Sequence, residues 1–585
     1  MFFPLAKLHR QLRGPLPLIV VVWLASFVLL MPVSAQPRTT PSTRKPRRPA
    51  STPATRPTQA NAAVLNEAVA LLKSGKLVEA EALVRQAVSK APGDSDARTL
   101  LGVILDQRGQ FVEAEAEYRE ALRLQPKNTS ALANLGVLYA HTKRVASALD
   151  TFEAALRIDP AQPQAVYNLG TLYVAQGNYE RAVPLLERAS GWPDNQASSA
   201  GNADMGLLLT LLNAYGHVGR AQDAARLADW LERIAGDDPR MLFTLALSLA
   251  ETRSYERAIH LFERTNALRP STFEVLYNLG IALYNVDRLD DAEKALTEAT
   301  KIEPAEPQPY YRLGLIASSR GDSQSAISYW SKALELRPNF AEANFMLGEE
   351  LLKRRQSDQA IKFYEQALAQ DPSKLLYHVR LGVANFRSQH YAKAREVFQG
   401  GLTRFPDNPN LYFLLGYTAR ADGHYDESIA AFREALRLQP DNPDVLGNLG
   451  YIASQRGEHV EAERLLRRAI ALDADSFPAY HDLGRLLVKL KKYGEALPIL
   501  LRGAELNKKD PGVHYQLFLA YSRLGKKAEA DQQLAVFKQL DEMSRHGATP
   551  LGMSVKAGPA NETDVLPPLP SAVAGEAKRP DAPRE

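Results

Sequence analysis

The chain has 585 residues, 45% hydrophobic and 24% charged, with a formal net charge of +4 and no cysteine. The lack of cysteine excludes disulfides, thiolate catalysis, thiolate zinc sites, iron–sulfur ligation and a lipid anchor on an N-terminal Cys. The charge is unevenly placed: residues 1–60 carry nine Lys/Arg and no acid, 545–585 hold five of each sign, and 61–544 therefore carry about −5, the opposite of a nucleic-acid-binding body.

Residues 1–35 read as an export leader. Lys7, Arg10 and Arg13 precede an apolar run from Leu16 to Met31, and Val33 and Ala35 are the small residues that a signal peptidase requires. The expected location is periplasmic or extracellular. The alternative is an inner-membrane anchor, because the run approaches the spanning length. The bases at Arg38, Arg44, Lys45, Arg47 and Arg48 also favour a flank kept on the cytoplasmic side. Residues 36–60 mix Pro, Thr, Ser and Arg with almost nothing apolar, too little to offset the entropy of ordering, and read as a disordered basic linker.

From residue 61 a 34-residue period takes over. Four units fill 61–196, eight residues at 197–204 (ASSAGNAD) interrupt, and ten more units fill 205–544. Within a unit, position 7 is Leu (Leu101, Leu135, Leu279) and position 8 is Gly ten times, from Gly102 to Gly484. Position 20 is Ala (Ala80, Ala114, Ala148), position 24 is large (Tyr118, Phe152, Trp330), and position 32 is often Pro (Pro92, Pro126, Pro160). Apolar positions 4, 7, 8 and 11 fall on one stripe of a first helix, and 20, 24 and 27 on one stripe of a second. Gly at position 8 opposite Ala at position 20 is expected to let the two helices approach. Gly near position 15, as in Gly75 and Gly109, suits the turn, and Pro at 32 ends the second helix. The insertion is Gly-, Ser-, Asn- and Asp-rich and reads as a surface loop. The stretch 545–585, with seven prolines, reads as a disordered tail.

A helix–turn–helix unit of 34 residues with Leu-Gly, then Ala, then an aromatic, then Pro resembles the tetratricopeptide repeat. The likeness covers 61–544 apart from the insertion. The family's frequent Trp at position 4 is missing, with Tyr310, Tyr412 and Tyr480 in its place, and the unit at 205–238 has Leu212 where Gly is expected. The resemblance implies an all-α fold, an α-solenoid coiled as a right-handed superhelix. The first helix of each unit would line its groove through positions 2, 5, 6, 9, 12 and 13. Those positions present Tyr277, Asn278, Tyr284, Tyr311, Arg312, Phe345, Arg380, Arg387, Phe413, Tyr417, Asn448 and Tyr451. Rings supply contact area at low entropy cost, Arg pairs carboxylates and Asn amides hold extended backbone; packing between units is the rival role for any single ring. Asn recurs at position 6 as Asn66, Asn134, Asn168, Asn278 and Asn448. That is similar to the asparagine ladder of the repeat arm of O-linked N-acetylglucosamine transferases, here broken by Thr244, Arg312, Met346 and Arg380.

No HExxH, GxSxG, P-loop or strand-linked GxGxxG occurs, and His141, His378 and His481 have no partnering ligand cluster in the sequence. The chain therefore reads as a non-enzymatic scaffold without cofactors that binds protein or peptide segments in its groove, in cell-envelope assembly or secretion. Two alternatives stand beside it: a polysaccharide-binding or export factor whose rings stack on glycans, and a targeting subunit for a separate glycosyltransferase. Nucleic acid is not an expected partner, and a membrane is one only through the N-terminal segment.

Overall fold

The computed structural model describes residues 59–193 and 204–546. The leader at 1–35, nearly all of the linker and tail, and all of the insertion except Asp204 lie outside the described residues. Those described form 28 helices and no strand, two helices to each of fourteen repeats. In the second repeat, for example, the first helix is Ser95–Gln107 and the second Phe111–Leu124. The described residues fall into two compact units divided between Glu303 and Pro304, each built by stacking such pairs.

Short-range chemistry sets each boundary. The residue before many first helices is an Asx or Gln cap: the Asp94 carboxylate accepts from the Asp96 and Ala97 amides, and Asn128, Asp204, Asn408, Asn442 and Asp510 cap their helices in the same manner. Such a cap satisfies amides that the helix leaves without partners. Second helices stop two residues before the position-32 prolines, as at Lys90 before Pro92. The turn at position 15 is left-handed in every repeat. Glycine takes it at Gly75, Gly109, Gly177, Gly219, Gly321, Gly423, Gly457 and Gly525, with φ between 74° and 81°. Elsewhere Lys143, Arg253, Asp287, Arg355, Gln389 and Lys491 take it with φ between 59° and 64°, although a Cβ there costs about 1–2 kcal/mol.

The close approach of paired helices differs in detail from the expected Gly–Ala facing. Ala80, Ala114, Ala148 and most of their counterparts are fully buried, yet the space beside each position-8 glycine is filled by the large residue at position 24. A Cβ on Gly102 would lie 2.6 Å from Tyr118 Cε1, on Gly136 2.7 Å from Phe152 Cε1, and on Gly416 2.8 Å from Phe432. The position-20 residue adds only its backbone, as at Gly280, where the Ala292 carbonyl would be 3.3 Å from a Cβ. Ring and glycine interlock because the ring is the bulkier partner and needs the vacated volume.

A polar joint repeats between the second, third, fourth and fifth repeats. Tyr139, Tyr173 and Tyr215 donate their hydroxyls to Glu115, Glu153 and Glu187 of the preceding repeat at 3.2, 2.6 and 2.7 Å. Arg144, Arg181 and Arg220 pair with the same carboxylates at 2.7, 2.9 and 2.8 Å. Each guanidinium also lies over its tyrosine ring, 4.3, 4.5 and 4.7 Å from the centroid. These contacts hold Glu115, chiefly through Arg144, and Glu153, chiefly through Tyr173, below the usual carboxylate range. Burial and Glu153 together push the Tyr173 phenol up to about 12.

The repeat at 205–238 keeps both helices, Met205–His217 and Ala221–Ala235, despite Leu212 at position 8. Trp192 of the preceding repeat meets Trp230 here, ring centroids 5.5 Å apart.

Candidate functional site

Successive first helices touch one another through repeats 1–7 and again through repeats 11–14, whereas no two second helices come comparably close. A stack whose first helices converge carries them on its inner side. In each unit the first helices therefore line the concave face.

The candidate residues divide by position. Position 5 is a packing position. Phe345 lies 5.7 Å from the position-24 ring of Tyr364 and 4.9 Å from Tyr377, and Phe413 lies 5.9 Å from Phe432. Tyr311 packs on Phe340 at 5.0 Å, and its carbonyl accepts from the Trp330 indole at 3.1 Å. In the first unit, Tyr277 stacks on Phe273 at 5.8 Å. All four rings are buried, with Phe413 the most exposed at 9%. A ring held in this way has little face left for a guest. Asn278, Arg312 and Tyr417 are buried as well.

The accessible members are fewer. Tyr284 in the first unit is half-buried, as are Arg380, Asn448 and Tyr451 in the second, and Arg387 is exposed. Arg380 pairs with Glu349 at 3.0 Å, and Glu349 in turn accepts from the Tyr364 hydroxyl. Burial together with the Glu349 charge raises the Tyr364 phenol well above its ordinary range.

The position-6 asparagines are turned toward their own helices. The side-chain amides of Asn134, Asn168, Asn278 and Asn448 each donate to the carbonyl four residues earlier, at 2.7 to 2.9 Å. One amide hydrogen is thereby committed within the helix, which leaves less of the side chain for a guest backbone. Gln164 further ties the Asn134 carbonyl oxygen, at 3.1 Å.

Three features escaped the sequence reading. The first is a ladder of alternating rings and cations in repeats 10–13. The Arg420 guanidinium lies 4.8 Å from the centroids of both Tyr417 and Tyr451, Arg485 of the following repeat lies 5.1 Å from Tyr451, and Phe386 meets Tyr417 at 5.6 Å. The signal was present as ring and Arg recurring at positions 9 and 12, but it becomes meaningful only when neighbouring repeats are juxtaposed. The second is a buried carboxyl: Asp106, at position 12 of the second repeat, is pushed up to about 7 by burial, and its Oδ1 has no hydrogen-bond partner. The third is an apolar cleft of about 140 Å³ in the first unit, lined by Leu209, Leu231, Met241 and Leu245 together with Arg240.

Among the described residues no group of three or more His, Asp or Glu stands where it could hold a metal ion. No described helix is long and apolar enough to cross a membrane.

Family models described as "Tetratricopeptide repeat" match residues 65–163, 277–409, 139–203, 419–487 and 477–510, together more than half of the chain. A model described as "Anaphase-promoting complex, cyclosome, subunit 3" matches 220–299. Among curated proteins none matches the chain. Similar solved structures include an APC/C hetero-tetramer, Cut9-Hcn1, at 14% identity, covering 79% of this chain and 96% of that one with a TM-score of 0.31. Another is Naa15/Naa10 bound to HypK-THB, at 15% identity, covering 84% and 95% with a TM-score of 0.33. A third is yeast Tom70, at 16% identity, covering 78% and 97% with a TM-score of 0.28. None superposes globally on this chain, and the family assignment rests on the repeat models.

Proposed function

Because the chain belongs to the tetratricopeptide-repeat family, whose members generally serve as protein-interaction scaffolds, we propose that it is a non-enzymatic scaffold that holds segments of partner proteins against its first helices. The supporting observation is the division of the concave face. Buried rings at position 5 stiffen it, while half-buried Tyr284, Arg380, Asn448 and Tyr451 and exposed Arg387 leave polar and aromatic groups within reach of a guest. Preorganised side chains of this kind lose little entropy on binding. The leader pattern at 1–35 supports a role in the cell envelope, in assembly or secretion, and N-terminal sequencing of the mature protein tests that location.

Photo-crosslinking tests the binding mode. A photoreactive residue at Arg387 or Gln455 on the first helices should capture protein partners, and one at Arg433 on a second helix should not. Equal capture from both faces would refute the groove. The half-buried Tyr284 and Tyr451 rings also support a second reading, stacking on polysaccharide. Glycan binding that survives Arg380→Glu with Arg387→Glu but is lost on Tyr451→Ala would replace protein by glycan as the guest.

A further inference from the structure

The linings of the two units differ in sign. Through repeats 1–7, positions 2, 5, 6, 9, 12 and 13 carry four acids, Asp96, Asp106, Glu251 and Glu274, against two cations, Lys73 and Arg240. In the second unit, repeats 8 and 9 balance two cations, Arg312 and Lys353, against two acids, Glu342 and Glu349, while repeats 10–14 carry six cations at the same positions against two acids, Asp444 and Asp482. We propose that the groove of repeats 10–14, residues 375–544, is a docking track for an extended acidic segment of a partner protein. The proposal rests on the groove-binding scaffold read above and specifies the chemistry of its guest.

Two sets of cations carry the argument. Arg387, Lys489 and Arg523 occupy position 13, the last residue of the first helices Leu375–Arg387, Phe477–Lys489 and Pro511–Arg523. All three are exposed, and none of their side chains makes a hydrogen bond or ion pair with another described residue. This contrasts with the body's other cations, many of which are paired, as Arg395 is with Asp422 and Glu427 and Arg467 with Glu463 and Glu495. A cation at a helix C-terminus is favoured by the helix dipole, which explains its tolerance there without consuming its hydrogen-bonding capacity.

The second set is the ladder of Tyr417, Arg420, Tyr451 and Arg485. Tyr417 and Tyr451 both lie against the Arg420 guanidinium, and Tyr451 against that of Arg485, which limits their orientations, so less entropy remains to be lost on meeting a carboxylate; Arg485 already meets one, Asp482, at 3.1 Å. One step of the track per repeat favours an extended chain that meets each repeat in turn. A long polyanion such as nucleic acid fits less well, because the repeat body as a whole carries about −5 and repels uniform negative charge.

The test uses the full chain and labelled peptides of about sixteen residues, which span roughly 50 Å when extended: alternating Glu-Ser, its Gln-Ser and Lys-Ser counterparts, and a single-stranded oligonucleotide of similar length. The Glu-Ser peptide should bind best, and more weakly at high salt. Arg387→Glu, Lys489→Glu and Arg523→Glu combined should weaken it by roughly tenfold or more, since each reversal replaces an attraction with a repulsion. The matched control, Lys362→Glu, Lys393→Glu and Arg433→Glu on second helices, should change it less than about threefold. Equal losses from both triples, or tighter binding of the oligonucleotide, overturn the proposal. If the Gln-Ser peptide binds as well as Glu-Ser and is lost on Tyr451→Ala, the acidic guest falls but the groove stands. If no peptide of any charge binds, both fall.

Discussion

The interlock of glycine and ring predicts opposite outcomes for one chemical change at two sites. In Gly136→Ala the new Cβ would sit 2.7, 2.8 and 2.9 Å from Phe152 Cε1, Cδ1 and Cζ, so the ring or the helix must shift by most of an ångström. Overpacking of this kind costs about 1–3 kcal/mol, against which alanine gains about 1 kcal/mol of helix propensity over glycine. The net expectation is a loss of about 1 kcal/mol, and up to about 2 where the helices cannot separate. Gly447, inside the first helix Pro443–Arg456, has nothing within 4 Å of its Cβ position, and Gly447→Ala should gain nearly the full propensity of about 1 kcal/mol. Because an array of repeats opens locally, whole-chain melting is a blunt readout. Hydrogen exchange resolves it repeat by repeat: amides across 129–158 should exchange about fivefold to thirtyfold faster in Gly136→Ala, and those across 443–472 about fivefold slower in Gly447→Ala. Phe152→Ala empties the contested space, so adding Gly136→Ala to it should cost nothing further, a coupling of about 1 kcal/mol or more. Equal effects at 136 and 447, or strict additivity with Phe152→Ala, would refute the interlock.

Lys143 holds a left-handed turn at φ 59°, so Lys143→Gly should raise the urea midpoint, the gain in stability being about 0.5–1 kcal/mol after the entropy of the freer unfolded chain is subtracted. Burial disfavours the charged form of the Asp106 carboxyl and pushes it up to about 7; its folded value exceeds its unfolded one, so the folded state is penalised increasingly as pH rises from about 4 to 7. Asp106→Asn should therefore stabilise the chain at pH near 8 and lose that gain near pH 4; a gain independent of pH would exclude burial of the charge as its cause. Glu153 lies on the other side of its ordinary value, lowered first by Tyr173 and then by Arg181, so its contribution is present above about 4.5 and fades as pH falls below that. Glu153→Gln should lower the urea midpoint near pH 7 and differ from the parent progressively less as pH falls below about 4.5.

The two-helix repeat was legible in sequence because its causes are local. Gly102, Ala114, Tyr118 and Pro126 recur at spacings that two short helices, one turn and one stop produce, and the turn at position 15 appears even where Lys143 or Gln389 replaces glycine. Stacking among neighbours then repeats the same solution, which is why an eight-residue interruption left the phase of Tyr215 and Gly219 intact. The candidate site was legible only in part. Position alone could not separate Phe345 and Phe413, drawn into the core by the rings of Tyr364 and Phe432, from Tyr451, which stays half open between Arg420 and Arg485.

By itself, the order of residues determined the all-α repeat, the helix ends and the sign of the charge along each lining, since these depend on neighbours within a few turns. The tertiary structure alone decided what fills the gap beside each glycine, where the asparagine amides spend their hydrogens, and which rings remain for a guest. Those outcomes depend on how side chains from adjacent helices compete for one volume, and that competition has no one-dimensional signature.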